Sequence, residues 1–318
     1  MRIAVVFLLI TLASSIAFGQ GTPTLRLETE VPGLPSELFY GDLKVKPLRL
    51  RPGTTIPITI NDADFFVHTH YVDFLSRLPE PDGFRFWENE ILQCGTNAAC
   101  IEVKRINVSA AFFLSIEFEN TGFLVYRIHK AAFGDLPGKP VPIRRETFMP
   151  DMRSISNGLI VGRIGWEQLL ENNKVAFTQA FVQRPAFLAE YPNGMSADAF
   201  VTKLDERAFG QAGQGVLSSS EKAAIVAALS LGPNDPARRA VALRAVAENS
   251  NLHQREFRKA FVLMQYFGYL RRNPDDAPDT GFGGFNFWLS KLNEFNGNFI
   301  QAEMVKAFIT SIEYGQRF

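Results

Sequence analysis

The spacing of apolar and polar residues divides the chain into two parts. Residues 21–62 are rich in Pro and Gly and contain short alternating stretches, such as LKVKPLRLRP at 43–52. Alternation with a period of two between turn residues predicts short strands or an extended segment. From residue 64 onward apolar residues recur three and four positions apart. That spacing predicts helices separated by turns of Pro, Gly and Asp.

Two segments of the helical part repeat the same residues in the same order. The stretches YVDFLSRLPEPDGFRFW at 71–87 and YFGYLRRNPDDAPDTGFGGFNFW at 266–288 share Tyr, Leu, Arg, Pro, Gly and Phe-Trp. A third helix also recurs, because AFFLSIEF at 111–118 reappears as AFITSIEY at 307–314. Such an internal repeat predicts a structural unit that is used more than once.

Each copy predicts a module of about three helices. In the first copy Val67, Tyr71 and Phe74 stand at i, i+4 and i+7, on one face of a helix. The turn PEPDG at 79–83 ends this helix, since proline cannot continue it, and a helix with Trp87 follows. Weaker copies lie between the two strong ones, and the first of them places Pro-rich loops between YRIHKAAFG at 126–134 and WEQLLENN at 166–173. We therefore predict a mainly α fold of tandem helical modules after a short extended or β N-terminal segment.

The predicted divisions follow from these boundaries. They are a signal peptide at 1–19, an extended or β lead-in at 20–63, module 1 at 64–121, degenerate module 2 at 122–192, degenerate module 3 at 193–254 and module 4 at 255–318.

Aromatic residues are unusually frequent, with 29 phenylalanines, and all three tryptophans occupy the same position in their modules. We predict that Trp87, Trp166 and Trp288 are core aromatic residues, because a large ring at an equivalent helix position is typical of packing. Exposed aromatics that anchor a partner are the alternative explanation for the aromatic excess.

An arginine and a glutamate are kept together or lost together among the modules. Arg77 matches Arg272 and Glu117 matches Glu313, whereas both positions differ in the two weaker copies. A guanidinium and a carboxylate fit as a bidentate pair. We therefore predict the structural salt bridges Arg77–Glu117 and Arg272–Glu313, each joining the first helix of a module to its last.

The N-terminus and the cysteines predict an extracytoplasmic location. Residues 1–19 carry one positive charge, a short apolar run and small residues before Gly19, which is typical of a secretory signal peptide. The later sequence has no apolar run of about 20 residues, so no transmembrane segment is expected after cleavage. Cys94 and Cys100 then lie where thiols oxidise, and we predict that they form one local disulfide.

Charge and candidate ligands narrow the function classes. The 33 basic and 33 acidic residues balance, and no Lys/Arg-rich stripe occurs, so nucleic acid is not an expected partner. Asp275, Asp276 and Asp279 offer oxygens that suit calcium, although the spacing is not that of an EF-hand. His68 and His70 point to different sides of a helix and are a poor metal pair. No other cofactor is predicted.

The segments HYVDFLSRLPEPDGFRFWENEI and VSAAFFLSIEF resemble the bacterial domain of unknown function 4214 family. Modules of that family share a Tyr-x-x-x-Leu-x-Arg, Pro-Asp-x-Gly, Trp and Ser-x-Glu-Phe pattern, occur in secreted proteins and are related in pattern to the phycobilisome linker domain. The resemblance covers roughly residues 64–118 and 255–318, is partial across 123–252, and implies a helical binding or scaffolding module.

The expected function is that of an extracytoplasmic, non-enzymatic interaction or scaffold protein whose partner is an unknown protein or an envelope polymer. A secreted hydrolase acting on extracellular polymer is an alternative, and it requires a concave pocket with titratable residues from different modules. A calcium-dependent surface module, with its site at the Asp275 loop, is a third possibility.

Overall fold

A computed structural model describes the backbone of three short stretches, 25–28, 37–40 and 43–45, and then residues 55–318. The predicted signal peptide at 1–19 and most of the predicted lead-in at 20–63 lie outside the described residues. The chain separates into two compact units, Met1–Leu48 and Arg49–Phe318.

The described stretches of the N-terminal unit are three short strands: β1 (Leu25–Glu28), β2 (Glu37–Tyr40) and β3 (Leu43–Val45). They form one antiparallel sheet in the order β1-β2-β3. Leu25 lies opposite Tyr40, and Leu38 lies opposite Val45.

The second unit is built from helices, as the apolar spacing predicts. Its α-helices are α1 (Ala63–Leu75), α2 (Pro81–Leu92), α3 (Ala98–Phe113), α4 (Ile116–Asn120), α5 (Gly122–Phe133), α6 (Arg145–Ser156), α7 (Trp166–Phe181), α8 (Pro185–Glu190), α9 (Ala197–Phe209), α10 (Ser219–Ser230), α11 (Pro236–Ala247), α12 (Ser250–Gln265), α13 (Gly283–Glu294), α14 (Met304–Ile309) and α15 (Ile312–Gln316). A π-helical turn, Tyr266–Leu270, continues α12.

Equivalent helix ends in modules 1 and 4 have the same local geometry. Helix α1 is followed by Ser76 with φ 51°, and the π-helical turn is followed by Arg271 with φ 52°. Such left-handed residues allow the chain to reverse after a helix. Ser115 and Ser311 then cap the short closing helices, because each side chain accepts a backbone N–H at 3.0 Å.

Modules 1 and 4 pack against each other although they are far apart in the sequence. Helix α1 contacts the π-helical turn, and α3 contacts α14. At this crossing the rings of Phe74 and Tyr269 meet edge to face, 5.1 Å between centroids. Gly268 permits the close approach, because a Cβ there would lie 2.4 Å from the Phe74 ring.

Helix α5 forms the centre of the middle part of the unit. It contacts α4, α6, α9, α11 and α12, and all of its residues except Phe133 are buried or nearly so. Its buried polar side chains are therefore paired: Arg127 donates to the carbonyl oxygen of Ala247 at 3.0 Å and to Glu119 at 2.8 Å. Such pairing is needed because a polar group loses its water on burial.

Two helices lie where the sequence pattern places a boundary or a loop. The boundary between modules 3 and 4, placed at 254/255, falls inside α12, so that helix belongs to both. The Pro-rich stretch of module 2, where loops are expected, contains α6. Pro150 lies within α6, where it removes only one backbone hydrogen bond while Phe148 and Met152 are buried.

Candidate functional sites

Each strong module contains an arginine that binds two carboxylates. Arg77 donates through Nε and Nη2 to the two oxygens of Glu117, both at 2.8 Å, and through Nη1 to Glu80 at 2.5 Å. The guanidinium carbon also lies 5.0 Å from the centre of the Tyr71 ring. We call this arrangement the first arginine clamp; it joins the end of α1 to α2 and α4.

The second arginine clamp repeats the first in module 4. Arg272 binds both oxygens of Glu313, at 2.5 and 3.0 Å, and Asp279 at 2.8 Å. Tyr266 lies beneath it, 5.4 Å from the guanidinium carbon. Burial lowers the pKa of Arg272, but the two carboxylates raise it more, so the pKa lies above its ordinary value. Arg77 thus meets Glu117 and Arg272 meets Glu313, and each arginine also binds a second acid, Glu80 or Asp279, that the repeat does not predict.

The two cysteines form a disulfide between α2 and α3. Cys94 follows α2 and Cys100 lies in the first turn of α3, with 5.6 Å between their Cα atoms. Asn97 caps α3 by accepting the N–H of Cys100 at 3.1 Å. The bond and the cap fix the same turn.

The three tryptophans lie at the edge of the core. Trp87, Trp166 and Trp288 are each partly buried and pack against the buried cluster. The three indoles thus belong to the core only in part. The fully buried rings are phenylalanines and tyrosines, such as Tyr126 and Tyr191. An indole is large and rarely becomes wholly buried.

The acidic loop of module 4 contacts cations of the protein itself. Asp275 binds Lys139 and accepts from Arg144 at 3.1 Å, and Asp276 accepts from Arg144 at 2.7 Å. Burial raises the pKa of Asp275, but Lys139 and Arg144 lower it further, so the carboxyl titrates below its ordinary range. Asp279 belongs to the second arginine clamp.

The loop is therefore held to the chain before α6 by ion pairs. Within the part of the chain that the structure describes, no cluster of three His, Cys, Asp or Glu side chains is arranged to hold a metal ion.

Two histidines are buried in polar clusters between helices. His70 lies between the Phe66 carbonyl oxygen and the Ser109 hydroxyl, each 2.7 Å from a ring nitrogen, and Ser109 also bonds Tyr269. Burial lowers the pKa of His70 to about 4. The imidazole is neutral at pH 7 and connects α1, α3 and the π-helical turn.

The second buried histidine, His129, contacts Asp151 at 2.8 Å. Arg184 binds both oxygens of this carboxylate, at 2.8 and 2.7 Å. Burial lowers the pKa of His129 below its ordinary value. In the sequence His129 stands apart from its partners, because Asp151 lies in α6 and Arg184 directly precedes α8. This cluster is buried between helices, which suits a structural role.

A polar cleft of about 780 Å³ lies beside α9. Its charged lining residues come from modules 2 and 3: Asp135, Asp198, Lys203, Glu206 and Arg207. Most of these groups are already engaged. Asp135 lies 2.8 Å from the buried ammonium of Lys130, and Glu206 accepts the N–H of Gly213 at 2.8 Å. Lys203 and Arg207 both bind Glu190.

Exposed aromatic pairs occur at equivalent positions of modules 1 and 4. Phe86 on α2 is 56% exposed and Phe287 on α13 is 54% exposed. Each meets the following tryptophan edge to face, with centroids 4.8 Å apart for Phe86–Trp87 and 5.0 Å apart for Phe287–Trp288. We call these the first and second ring pairs.

The exposure of the ring pairs has a simple geometric origin. In FRFW and FNFW the first Phe and the Trp lie on the core side of the helix, and the second Phe, two positions after the first, points to the other side. The repeated Phe-x-Phe-Trp pattern is the sequence signal for these exposed rings. Its three aromatic side chains cannot all face the core from one helix.

Comparison with protein families, with curated proteins and with solved structures finds no match to this chain. None of the helices in the described residues is both long and apolar enough to cross a membrane.

Proposed function

We propose that this chain is an extracytoplasmic interaction protein without catalytic activity, and that modules 1 and 4 belong to the domain of unknown function 4214 family. The observation that carries the proposal is the exposed Phe86 and Phe287 at equivalent positions. Exposing the same large apolar side chain twice weakens solubility without aiding packing, and exposed aromatics are typical anchors for partners.

The arrangement of the titratable groups also favours binding over catalysis. The buried clusters around His70 and His129 connect helices, and the acidic loop of module 4 is neutralised by Lys139 and Arg144. These contacts give the titratable groups a structural role within the fold. The disulfide is compatible with an oxidising compartment outside the cytoplasm.

Binding to the cell envelope tests this proposal. The exported full chain is mixed with the envelope fraction of the producing cells and sedimented. We expect the wild-type protein to sediment and the Phe86→Ser/Phe287→Ser variant to remain in the supernatant. Leu231→Ser, which removes an apolar residue 77% exposed after α10, is the matched control and should sediment normally.

The far-UV circular dichroism spectra of all three proteins must agree. A loss of binding then results from the changed surface and not from unfolding. Equal sedimentation of the double variant and the wild type would contradict the proposed surface. Absence of sedimentation by the wild type would contradict the proposed function.

A hydrolase acting on extracellular polymer is the second candidate, and the polar cleft favours it, because carboxylates from two modules meet there. The test is release of reducing ends or soluble fragments from envelope polymer, compared with Asp198→Asn and Glu206→Gln. Our proposal expects no release by the wild type. Release that both variants abolish would replace it with the hydrolase function.

A further inference from the structure

The chain contains Asn-Gly pairs in three turns, and the asparagine of each pair is exposed. The pairs are Asn157-Gly158 after α6, Asn193-Gly194 before α9 and Asn296-Gly297 after α13. In such a pair the backbone nitrogen of glycine can attack the side-chain carbonyl carbon of asparagine, because glycine has no Cβ to hinder the approach. Asparagine is accordingly one of the thermolabile residues of proteins.

Asn157 and Gly158 occupy the two central positions of a type II turn. Asn157 has φ −56° and ψ 116°, and Gly158 has φ 71°. The N–H of Leu159 closes the turn by donating to the carbonyl oxygen of Ser156 at 2.9 Å. The peptide between the central residues takes no part in that bond. Among residues 55–318 the N–H of Gly158 donates to no acceptor, so its nitrogen is available for reaction.

The second pair lies in a similar turn, but its glycine N–H is bound. Gly194 has φ 92°, and the N–H of Met195 donates to the carbonyl oxygen of Pro192 at 3.3 Å. The N–H of Gly194 itself donates to the side-chain oxygen of Asn234 at 2.9 Å. This hydrogen bond must break before the nitrogen can attack Asn193.

The glycine of the third pair is bound by the main chain. The N–H of Gly297 donates to the carbonyl oxygen of Leu292 at 2.7 Å, and Leu292 belongs to α13. The nitrogen is released only when the end of this helix opens. The hydrogen bond of the glycine N–H therefore distinguishes the three pairs, whereas the exposure of the asparagine does not.

We propose that Asn157 is a site of spontaneous modification, at which the side-chain amide becomes a carboxylate through a cyclic imide. The Gly158 nitrogen gives its proton to a solvent base and forms a bond to Cγ of Asn157. The bond between Cγ and Nδ2 breaks, and ammonia leaves with the proton. Water then opens the five-membered ring at either carbonyl carbon, which gives aspartate or isoaspartate. One water is consumed, one ammonia is released, and nothing is oxidised or reduced.

Ring closure requires only a local rotation of the backbone. Turning the peptide between Asn157 and Gly158 changes ψ of the first residue and φ of the second, and glycine accepts both signs of φ. The turn also has open space, because the nearest atom to a Cβ at Gly158 would be a methyl carbon of Leu169 at 3.8 Å. The reaction therefore proceeds without movement of α6.

The modification alters the connection between α6 and α7. The side-chain amide of Asn173 on α7 donates to the carbonyl oxygens of Ile155 and Asn157, both at 2.9 Å. In isoaspartate the backbone runs through the side chain, and the former carbonyl of residue 157 becomes a free carboxylate. Either product also places a negative charge at the C-terminal end of α6, which the helix dipole disfavours. We therefore expect the modification to weaken this connection.

Ageing of the full chain tests the site. The purified protein is incubated at pH 8, digested at acidic pH and analysed by mass spectrometry, in which conversion of asparagine adds about one mass unit. We expect Asn157 to convert on the order of tenfold faster than Asn193 and Asn296, because their glycines must first lose a hydrogen bond. The products should include isoaspartate, since only the ring gives it. Equal rates at all three asparagines, or aspartate as the only product, would overturn the proposal.

Asn234→Ala tests the physical reason for the difference. The substitution removes the acceptor of the Gly194 N–H and leaves the turn after α6 unchanged. We expect the conversion of Asn193 to become several-fold faster and to approach the rate of Asn157. Conversion of Asn296 should not change. An unchanged rate at Asn193 would overturn the role of the glycine N–H.

Asn157→Ala tests the structural consequence. This variant cannot form the ring, and the Asn157 side chain makes no hydrogen bond with residues 55–318, so the fresh variant should melt as the fresh wild type does. After ageing, modified wild-type protein is separated by anion exchange. Its melting temperature should lie on the order of 2 °C below that of the aged variant. Equal melting temperatures would overturn the expected weakening of the link between α6 and α7.

Discussion

At the scale of single residues, partly buried charges are balanced by more than one opposite group. Arg77 contacts Glu117 and Glu80, Arg272 contacts Glu313 and Asp279, and Asp73 is bound by arginines of module 4. Burial alone raises the pKa of Asp73, but Arg317 and Arg271 lower it below its ordinary value. Removing one partner leaves a desolvated charge, which costs more than losing a surface pair.

The first arginine clamp gives a prediction with an internal control. Arg77→Lys retains the positive charge but loses the bidentate geometry. We expect it to lower the free energy of unfolding by about 1–3 kcal/mol, because Glu117 is buried. Arg85→Lys, at the exposed pair with Asp82, should change it by less than about 0.5 kcal/mol. Urea unfolding at pH 7 measures both, and equal effects would contradict the role of the clamp.

His70 predicts a pH dependence of stability. Its pKa is about 4 in the folded protein, below the 6.5 of the unfolded chain, because burial disfavours the charged ring. The stability that the neutral ring provides is fully present above pH 6.5. It falls between pH 6.5 and 4, where only the unfolded chain takes up a proton, by up to about 1.4 kcal/mol per pH unit.

His70→Gln should remove this part of the pH dependence. The substitution follows the protein's own repeat, since the equivalent Gln265 is buried and donates to the Phe261 carbonyl oxygen at 3.2 Å. We expect the wild type to lose more free energy of unfolding than His70→Gln between pH 7.5 and 5, as measured by urea titration. An identical loss in both proteins would mean that other groups, such as His129, cause the pH dependence.

At the scale of elements, the crossing of α1 and the π-helical turn joins module 1 to module 4. The crossing is close because Gly268 faces Phe74, and Asp73 beside it is bound by Arg317 at 2.9 Å. Gly268, the Phe74 ring and the ion pair of Asp73 thus lie together at this crossing. The glycine matters here because it lacks a Cβ, since its φ does not lie in the left-handed range that favours glycine.

Gly268→Ala should therefore destabilise the protein. The new methyl group overlaps the Phe74 ring, and overpacking of this kind costs about 1–3 kcal/mol. Gly315→Ala is the matched control, because nothing lies within 4 Å of its Cβ position and alanine favours a helix. Thermal unfolding of both variants measures the difference. A Gly268→Ala protein as stable as the control would show that the helices separate without cost.

The repeated residues predict the helices of 64–118 and 255–318 well, because turn and capping residues fix the helix ends. Pro81 starts α2, and Ser115 and Ser311 start the closing helices in the same way. Helix α6 is missed because Pro150 indicates a break, whereas burial of its neighbours offsets one lost hydrogen bond. The partners of His129 are missed because they depend on tertiary packing.

At the scale of the whole molecule, the described helical unit has one continuous core. Buried residues from every predicted module belong to the same cluster, for example Phe66, Tyr126, Leu204 and Met304. The sequence repeat indicates separate units, but each module covers its apolar face with its neighbours. Elements that share one core are expected to unfold together.

A single unfolding transition follows from this shared core. Variants that keep only Trp87 or only Trp288, with the other indoles replaced by Phe, report on modules 1 and 4 separately. We expect their fluorescence midpoints in urea to coincide with each other and with the far-UV circular dichroism of the same proteins. A module 4 signal that changes at lower urea than the module 1 signal would indicate independent domains.

The contact between the first helix and the last residue of the helical unit has one further consequence. The rings of Phe65 and Phe318 meet edge to face, with centroids 5.5 Å apart. The last residue of the unit therefore lies beside its first helix, and circular permutation requires chain ends that are close in space. We expect a chain that starts in the exposed loop after α9 and joins Phe318 to Ile56 through a flexible linker to keep the packing of helices α1 to α15. The order in which the chain connects the helices can thus change while the packing of the helices stays the same.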